Sequence, residues 1–126
     1  MILIIAEKPS LARNITAGIG NLQKKYGYFE GQGYIISWAF GHLFSLADIE
    51  AYNPLPEGQK HWSMDNIPCF PEKFRFGLRK DTTGRGDDGV LRQFRVIESL
   101  CNRPDVDTIV NAGDADREGE IIVRLC

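Results

Sequence analysis

The stretch Asn111-Ala-Gly-Asp-Ala-Asp-Arg-Glu-Gly-Glu120 crowds four carboxylates, Asp114, Asp116, Glu118 and Glu120, into seven residues opposed locally by Arg117. Two carboxylates ~4 Å apart repel by about 4 kcal/mol at an effective dielectric of ~20, so the crowding calls for a cation, a shared proton or a solvated turn. Acids ahead of a helix accept hydrogen bonds from its free N–H groups and complement its dipole, which accounts for one or two of the four. A calcium loop is suggested by the D-x-D-x-E-G pattern. Counting from Asp114, however, the position that needs a bidentate Glu is Leu125, and the EF-hand fails. A magnesium site remains, because Mg²⁺ takes hard oxygen ligands and is often bound where phosphate is handled. A helix-cap turn without metal stays open beside it, since clustered ionisable groups mark functional sites only on average.

The flanking elements decide what the turn can meet. Ile2 to Ala6 is an unbroken apolar, β-branched run, which predicts a strand buried on both faces of a parallel sheet. Glu7 closes it. Pro9 then suits a first helical turn, with Leu11, Ala12, Ile15 and Ile19 at helical spacing and Gly18 and Gly20 as the stop. Val106 to Val110 predicts a second buried strand, followed by the acidic turn and a helix through Ile121, Ile122 and Leu125. Strand, acid and helix thus occur twice, which favours an α/β fold with a parallel sheet core. In open sheets of this kind ligands sit outside the carboxyl ends of the strands. If the two strands are neighbours, Glu7 and Asp114 emerge on one edge.

Between these units, Tyr28-Phe-Glu and Tyr34 to Phe40 flank Gly31-Gln-Gly33 and read as a β-hairpin. Pro54, Pro56, Pro68 and Pro71 break up Asp48 to Pro71, and Phe74-Arg-Phe reads as a short strand. Thr82 to Gly89 is glycine-rich but lacks a G-K-[ST] ending, so it fails as a P-loop and reads as a connection. Val90, Phe94, Ile97 and Cys101 mark a helical stripe that Pro104 ends.

A chain of 126 residues fits one domain, and its 43% apolar and 25% charged residues are ordinary for a globular protein. No apolar run approaches the ~20 residues of a membrane span. The opening Met-Ile-Leu-Ile-Ile-Ala is too short for a signal-peptide core. Cys69, Cys101 and Cys126 are odd in number and far apart, as for reduced thiols of a cytoplasmic protein. The net charge of −2 does not advertise nucleic acid, although Glu72 to Arg95 holds seven basic residues against four acids.

The residues Glu7-Lys-Pro-Ser10 after an apolar strand, the Gly41-His-Leu43 element and Asp114-Ala-Asp-Arg-Glu-Gly-Glu120 together resemble a Toprim domain. More narrowly they resemble the N-terminal domain of type IA DNA topoisomerases of the topoisomerase III kind. "HWSMDNIP" followed by "PEKF" extends the resemblance over essentially the whole chain. It implies a Rossmann-like parallel sheet flanked by helices, with the hairpin as an insertion, over residues 1–126. It also implies that the domain is a C-terminally truncated N-terminal piece of a longer enzyme.

The activity implied is cleavage of one DNA strand by a tyrosine, giving a 5′-phosphotyrosyl link and a free 3′-hydroxyl, then Mg²⁺-supported strand passage and religation. In that reading Asp114, Asp116 and Glu118 hold Mg²⁺ together with Glu7. Glu7 is also the general acid toward the leaving 3′-oxygen, and Lys8 is the cationic partner of the phosphate. Trp62, Arg117 and His42 are implied contacts to a single-stranded DNA segment. Each has a plainer reading: Lys8 as a surface lysine before a helix, Arg117 as a local charge offset, His42 as a packed histidine, Trp62 as a core residue. Glu120 stays divided between an outer-shell ligand and a first-turn acid. Tyr26, Tyr28, Tyr34 and Tyr52 do not sit in the family's tyrosine motif, so the fragment is expected to be inactive alone. The competing function is a stand-alone Toprim nuclease or primase-like protein that carries its chemistry in this domain. A non-enzymatic DNA- or protein-binding module is the third.

Overall fold

The computed structural model describes residues 1–52, 64, 67–80 and 86–126. They fall into two compact units, Met1–Phe44 with Leu78–Cys126, and Ser45–Gly77.

The larger unit is built on a five-stranded sheet. Its strands are β1 (Ile2–Ala6), β2 (Gln23–Lys25), β3 (Tyr28–Gly31), β4 (Tyr34–Trp38) and, later in the chain, β7 (Thr108–Ala112), in the order β2-β3-β4-β1-β7. β1 pairs in parallel with both β4 and β7, whereas β2–β3 and β3–β4 are antiparallel. The hairpin expected around Gly31–Gly33 is therefore part of the main sheet. Gln32 (φ 51°) and Gly33 (φ 82°) form its two-residue loop, and this left-handed pair matches the twist of a tight hairpin.

Alternation along β1 sends side chains to two cores. Leu3 and Ile5 pack with Ile35, Val90, Ile97, Leu100, Ile122 and Val123 on one face. Ala6 packs with Ala12 and Ile36 on the other, joined by Ile4, Leu11, Ile15 and Trp38. The helix α1 (Pro9–Ile19) covers the second face. α2 (Asp88–Cys101) and α3 (Arg117–Arg124) cover the first. This is an α/β sheet flanked by helices with a parallel centre, as the repeated strand–acid–helix pattern predicts.

The final strand departs from expectation. It runs Thr108–Ala112 rather than Val106–Val110, and it is exposed, with Ile109 and Val110 open to solvent. Its apolar sequence suits a strand covered on both faces, yet among the described residues β7 is the last strand of the sheet, with β1 as its single neighbour.

The smaller unit holds a 3-10 turn at Ile49–Ala51. Two short strands, β5 (Phe44–Leu46) and β6 (Phe76–Leu78), form a separate two-stranded sheet at its junctions with the chain of the larger unit. The short strand expected at Phe74–Phe76 begins at Phe76. Among the described residues no helix is long and apolar enough to cross a membrane, and Cys69, Cys101 and Cys126 are free thiols.

Candidate functional site

The parallel register fixes the first relation. Ala6 is the partner of Ala112 across β1 and β7, so the residues that follow, Glu7 and Gly113-Asp114, leave the sheet side by side at its carboxyl edge. The Asp114 backbone N–H donates to Glu7 Oε2 at 3.3 Å. A separation of 107 residues in sequence thus closes to one hydrogen bond, as expected if the two strands are neighbours.

Beyond Glu7 the chain enters α1. Lys8 is the N-cap residue in extended conformation, but its side chain makes no capping bond. Its Nζ stands 3.8 Å from Glu7 Oε1 and 3.5 Å from Asp114 Oδ2, between the two carboxylates. Such half-exposed pairs contribute at most about 1 kcal/mol, so the ammonium is held loosely and can turn to another anion. From the other side Gly41 N–H donates to the Glu7 carbonyl at 3.0 Å, with Gly41 at φ 69° where a side chain would be strained. That turn delivers His42 to the same edge, where its Nε2 lies 2.6 Å from Glu118 Oε2.

The acidic turn itself is shaped by two glycines. A Cβ on Gly113 would fall on the backbone of Gly119, and one on Gly119 would fall on the backbone of Asp114. The turn and the start of α3 therefore approach at a distance only glycine permits. Asp116 is the N-cap of α3, its Oδ1 accepting from Gly119 N–H at 2.8 Å. Asn111, which the sequence reading did not single out, accepts from Gly113 N–H at 2.9 Å and donates to Glu120 Oε2 at 3.0 Å. An Asn followed two residues later by Gly at a strand end was the available signal, since Asn commonly bonds the backbone two residues on. Glu120 is further paired with Arg124 at 3.3 Å, one helical turn along.

The four acids so divide. Glu120 is spent on Asn111 and Arg124, and Asp116 uses one oxygen to cap the helix. Asp114 and Glu118 stand exposed, with side chains 55% and 71% accessible, while Glu7 is the sheltered member at 16%. Arg117, at the first position of α3, is exposed and forms no ion pair among the described residues. Trp62 lies outside the described residues. The donor set, carboxylate oxygens, is right in kind for a hard divalent cation. Among the described residues, however, no three His, Cys, Asp or Glu side chains converge closely enough to hold one. Glu118 is turned to His42 and Asp114 to Lys8.

Comparison with known proteins gives the family of the chain. The sequence profile of the Toprim domain matches residues 2–125. DNA topoisomerase 3 of Staphylococcus epidermidis is 40% identical over 123 residues, which is 98% of this chain and 16% of that protein. DNA topoisomerase 3 of Shouchella clausii is 40% identical over 121 residues, and that of Bacillus anthracis 39% over 122, each covering 15% of the relative. The chain spans about a sixth of the length of the curated relatives it matches.

Proposed function

We propose that this chain, which belongs to the Toprim domain family, supplies the acidic and phosphate-handling half of a type IA DNA topoisomerase active site. The observation that carries the reading is the hydrogen bond from Asp114 N–H to Glu7, with Lys8 between the two carboxylates. It gathers a sheltered acid, a cation and an exposed acidic turn at one sheet edge. The near-40% identity to DNA topoisomerase 3 over almost the whole chain supports the same reading.

In this mechanism a tyrosine from another part of the whole protein attacks a DNA phosphodiester, its phenolic proton passing to solvent water. The P–O bond to the 3′-oxygen breaks, and the phosphate stays on the tyrosine as a 5′-phosphotyrosyl link. Glu7 gives a proton to the departing 3′-oxygen and takes it back as base when the 3′-hydroxyl attacks in religation. Lys8, held loosely by Glu7 and Asp114, turns to the phosphate oxygens as negative charge builds on them. Asp114, Asp116 and Glu118, with Glu7, would hold Mg²⁺, which supplies charge neutralisation at the phosphate. To take part, Glu118 leaves His42, and Asp116 offers the oxygen that does not cap α3. His42 and Arg117 are left as contacts to the single-stranded segment.

Calorimetric titration tests the metal assignment. Mg²⁺ is expected to bind the chain weakly, and the double variant Asp114→Asn, Asp116→Asn to abolish the heat. Asn can replace the Asp116 cap, so the variant keeps its fold. Unchanged heat would remove the metal site from these residues. On supercoiled plasmid the isolated chain is expected to be inert. Mg²⁺-dependent relaxation would contradict the division of the active site, and Mg²⁺-dependent nicking of single strands would replace it with a nuclease that works alone.

A further inference from the structure

Within the smaller unit, Lys73-Phe-Arg-Phe76 alternates cations with aromatic rings, and both rings stand in the open. Phe74 is 60% and Phe76 50% accessible. With Ala51, Tyr52, Pro71 and Glu72 these residues line an open groove of about 770 Å³. The ground under the rings is fixed. Arg75 N–H donates to the Tyr52 hydroxyl at 2.7 Å, that hydroxyl donates to the Arg75 carbonyl at 3.2 Å, and Ala47 N–H donates to the same carbonyl at 2.8 Å. The Arg75 guanidinium lies 6.0 Å from the Tyr52 ring centre, within cation–π range.

Exposed rings interleaved with cations on a fixed backbone make a stacking platform with counter-charges beside it. Every nucleobase has a π-face that fits such a ring, and stacking is worth ~1–3 kcal/mol per base. The cations Lys73 and Arg75 outnumber the one acid of the lining, Glu72. We propose that this groove is a second contact for single-stranded DNA, in which Phe74 and Phe76 stack on bases while Lys73 and Arg75 take neighbouring phosphates. The proposal rests on the reading of the chain as part of a DNA-handling enzyme, and it adds a binding surface away from the acidic turn in sequence.

The test uses the intact chain in EDTA with a labelled oligothymidylate carrying 5-iododeoxyuridine. In the double variant Phe74→Ala, Phe76→Ala affinity is expected to fall about tenfold or more, as the loss of one stacked base implies. Binding to an abasic oligomer should not change. Lys73→Ala is expected to flatten the dependence of log K on log salt by about 0.7, the value of one phosphate on a single strand. Photo-cross-links should map to Phe74 or Phe76. The rings are half or more exposed, so thermal melting should show both variants folded. Cross-links confined to the peptides of Glu7, His42 and Asp114, with affinity intact in the Phe variant, overturn the groove and leave the proposed function standing. No binding of DNA by the parent chain removes both. Self-association that the Phe variant abolishes, with DNA affinity unchanged, makes the groove a protein interface and overturns the proposal.

Discussion

Asp116 shows what one residue can and cannot reveal before folding. That some acid of the turn would cap the following helix was legible from its type and place. Which one it would be depended on where α3 begins, and Gly119 N–H settles it on Asp116. The same residue is a proposed metal ligand, so charge and cap must be separated. Asp116→Ala is expected to destabilise the fold by about 1 kcal/mol, within the 0.5–2 range of lost caps, whereas Asp116→Asn should stay within a few tenths. Urea denaturation at neutral pH measures both. Equal losses would mean that the charge near the helix N-terminus, not the hydrogen bond, does the stabilising. Gln93 was not legible at all. It is buried on α2, its amide donating to the carbonyls of Trp38 at 2.8 Å and Gly27 at 3.1 Å, partners at least 55 residues away. No local pattern announces a polar residue whose acceptors arrive only with the tertiary fold.

At the scale of elements, strand and helix types could be read from periodicity, while the limits of β7 and its exposure could not. The strand slides two residues from the apolar run because its register is set by β1, with Ile2 opposite Thr108 and Ala6 opposite Ala112. Apolar composition alone predicted burial. In the fold, Ile109 and Val110 stay open to solvent. The contact between the turn and α3 has a sharper test. Gly119→Ala puts a methyl group onto the Asp114 backbone, and the resulting overpacking should cost about 1–3 kcal/mol. Gly18→Ala, in α1 with nothing within 4 Å of the new methyl, should instead stabilise by up to about 1 kcal/mol through helix propensity. Thermal melts of the two variants should therefore move in opposite directions. A neutral Gly119→Ala would show that the turn can withdraw from the helix, and with it the anchoring of Asp114 beside Glu7.

Across the larger unit, the two ends of the sheet carry different charge chemistry. The carboxyl ends of β1 and β7 gather acids, of which Asp114 and Glu118 are largely exposed. At the other end charges are paired off. Arg103 bridges Glu30 at 2.9 Å and Asp105 at 2.7 Å, Lys25 meets Glu30 at 2.5 Å, and the N-terminal ammonium meets Asp107 at 3.0 Å. The sequence hid this clamp because Arg103 and Glu30 are 73 positions apart. Hydrogen bonds from Arg103, then from Lys25, hold the Glu30 carboxyl below its ordinary value of 4.5. A carboxyl lowered by folding stabilises the native state above its unfolded pKa, and that contribution is lost as pH falls through the lower, folded value. Asp105, bonded by Arg103, and Asp107, bonded by Thr108 and the N-terminus, are shifted in the same direction. Stability should therefore drop as the solution is acidified below about pH 4.5, through the lowered values of these three carboxyls. Glu30→Gln keeps an oxygen for Arg103 but removes the charge. It should be less stable than the parent by about 1 kcal/mol at pH 7, and the gap should narrow as pH falls through the lowered Glu30 value. Urea midpoints followed from neutral pH into acid give the answer: a gap that persists throughout would assign the loss to packing around Glu30 and not to its ionised pairing with Arg103 and Lys25.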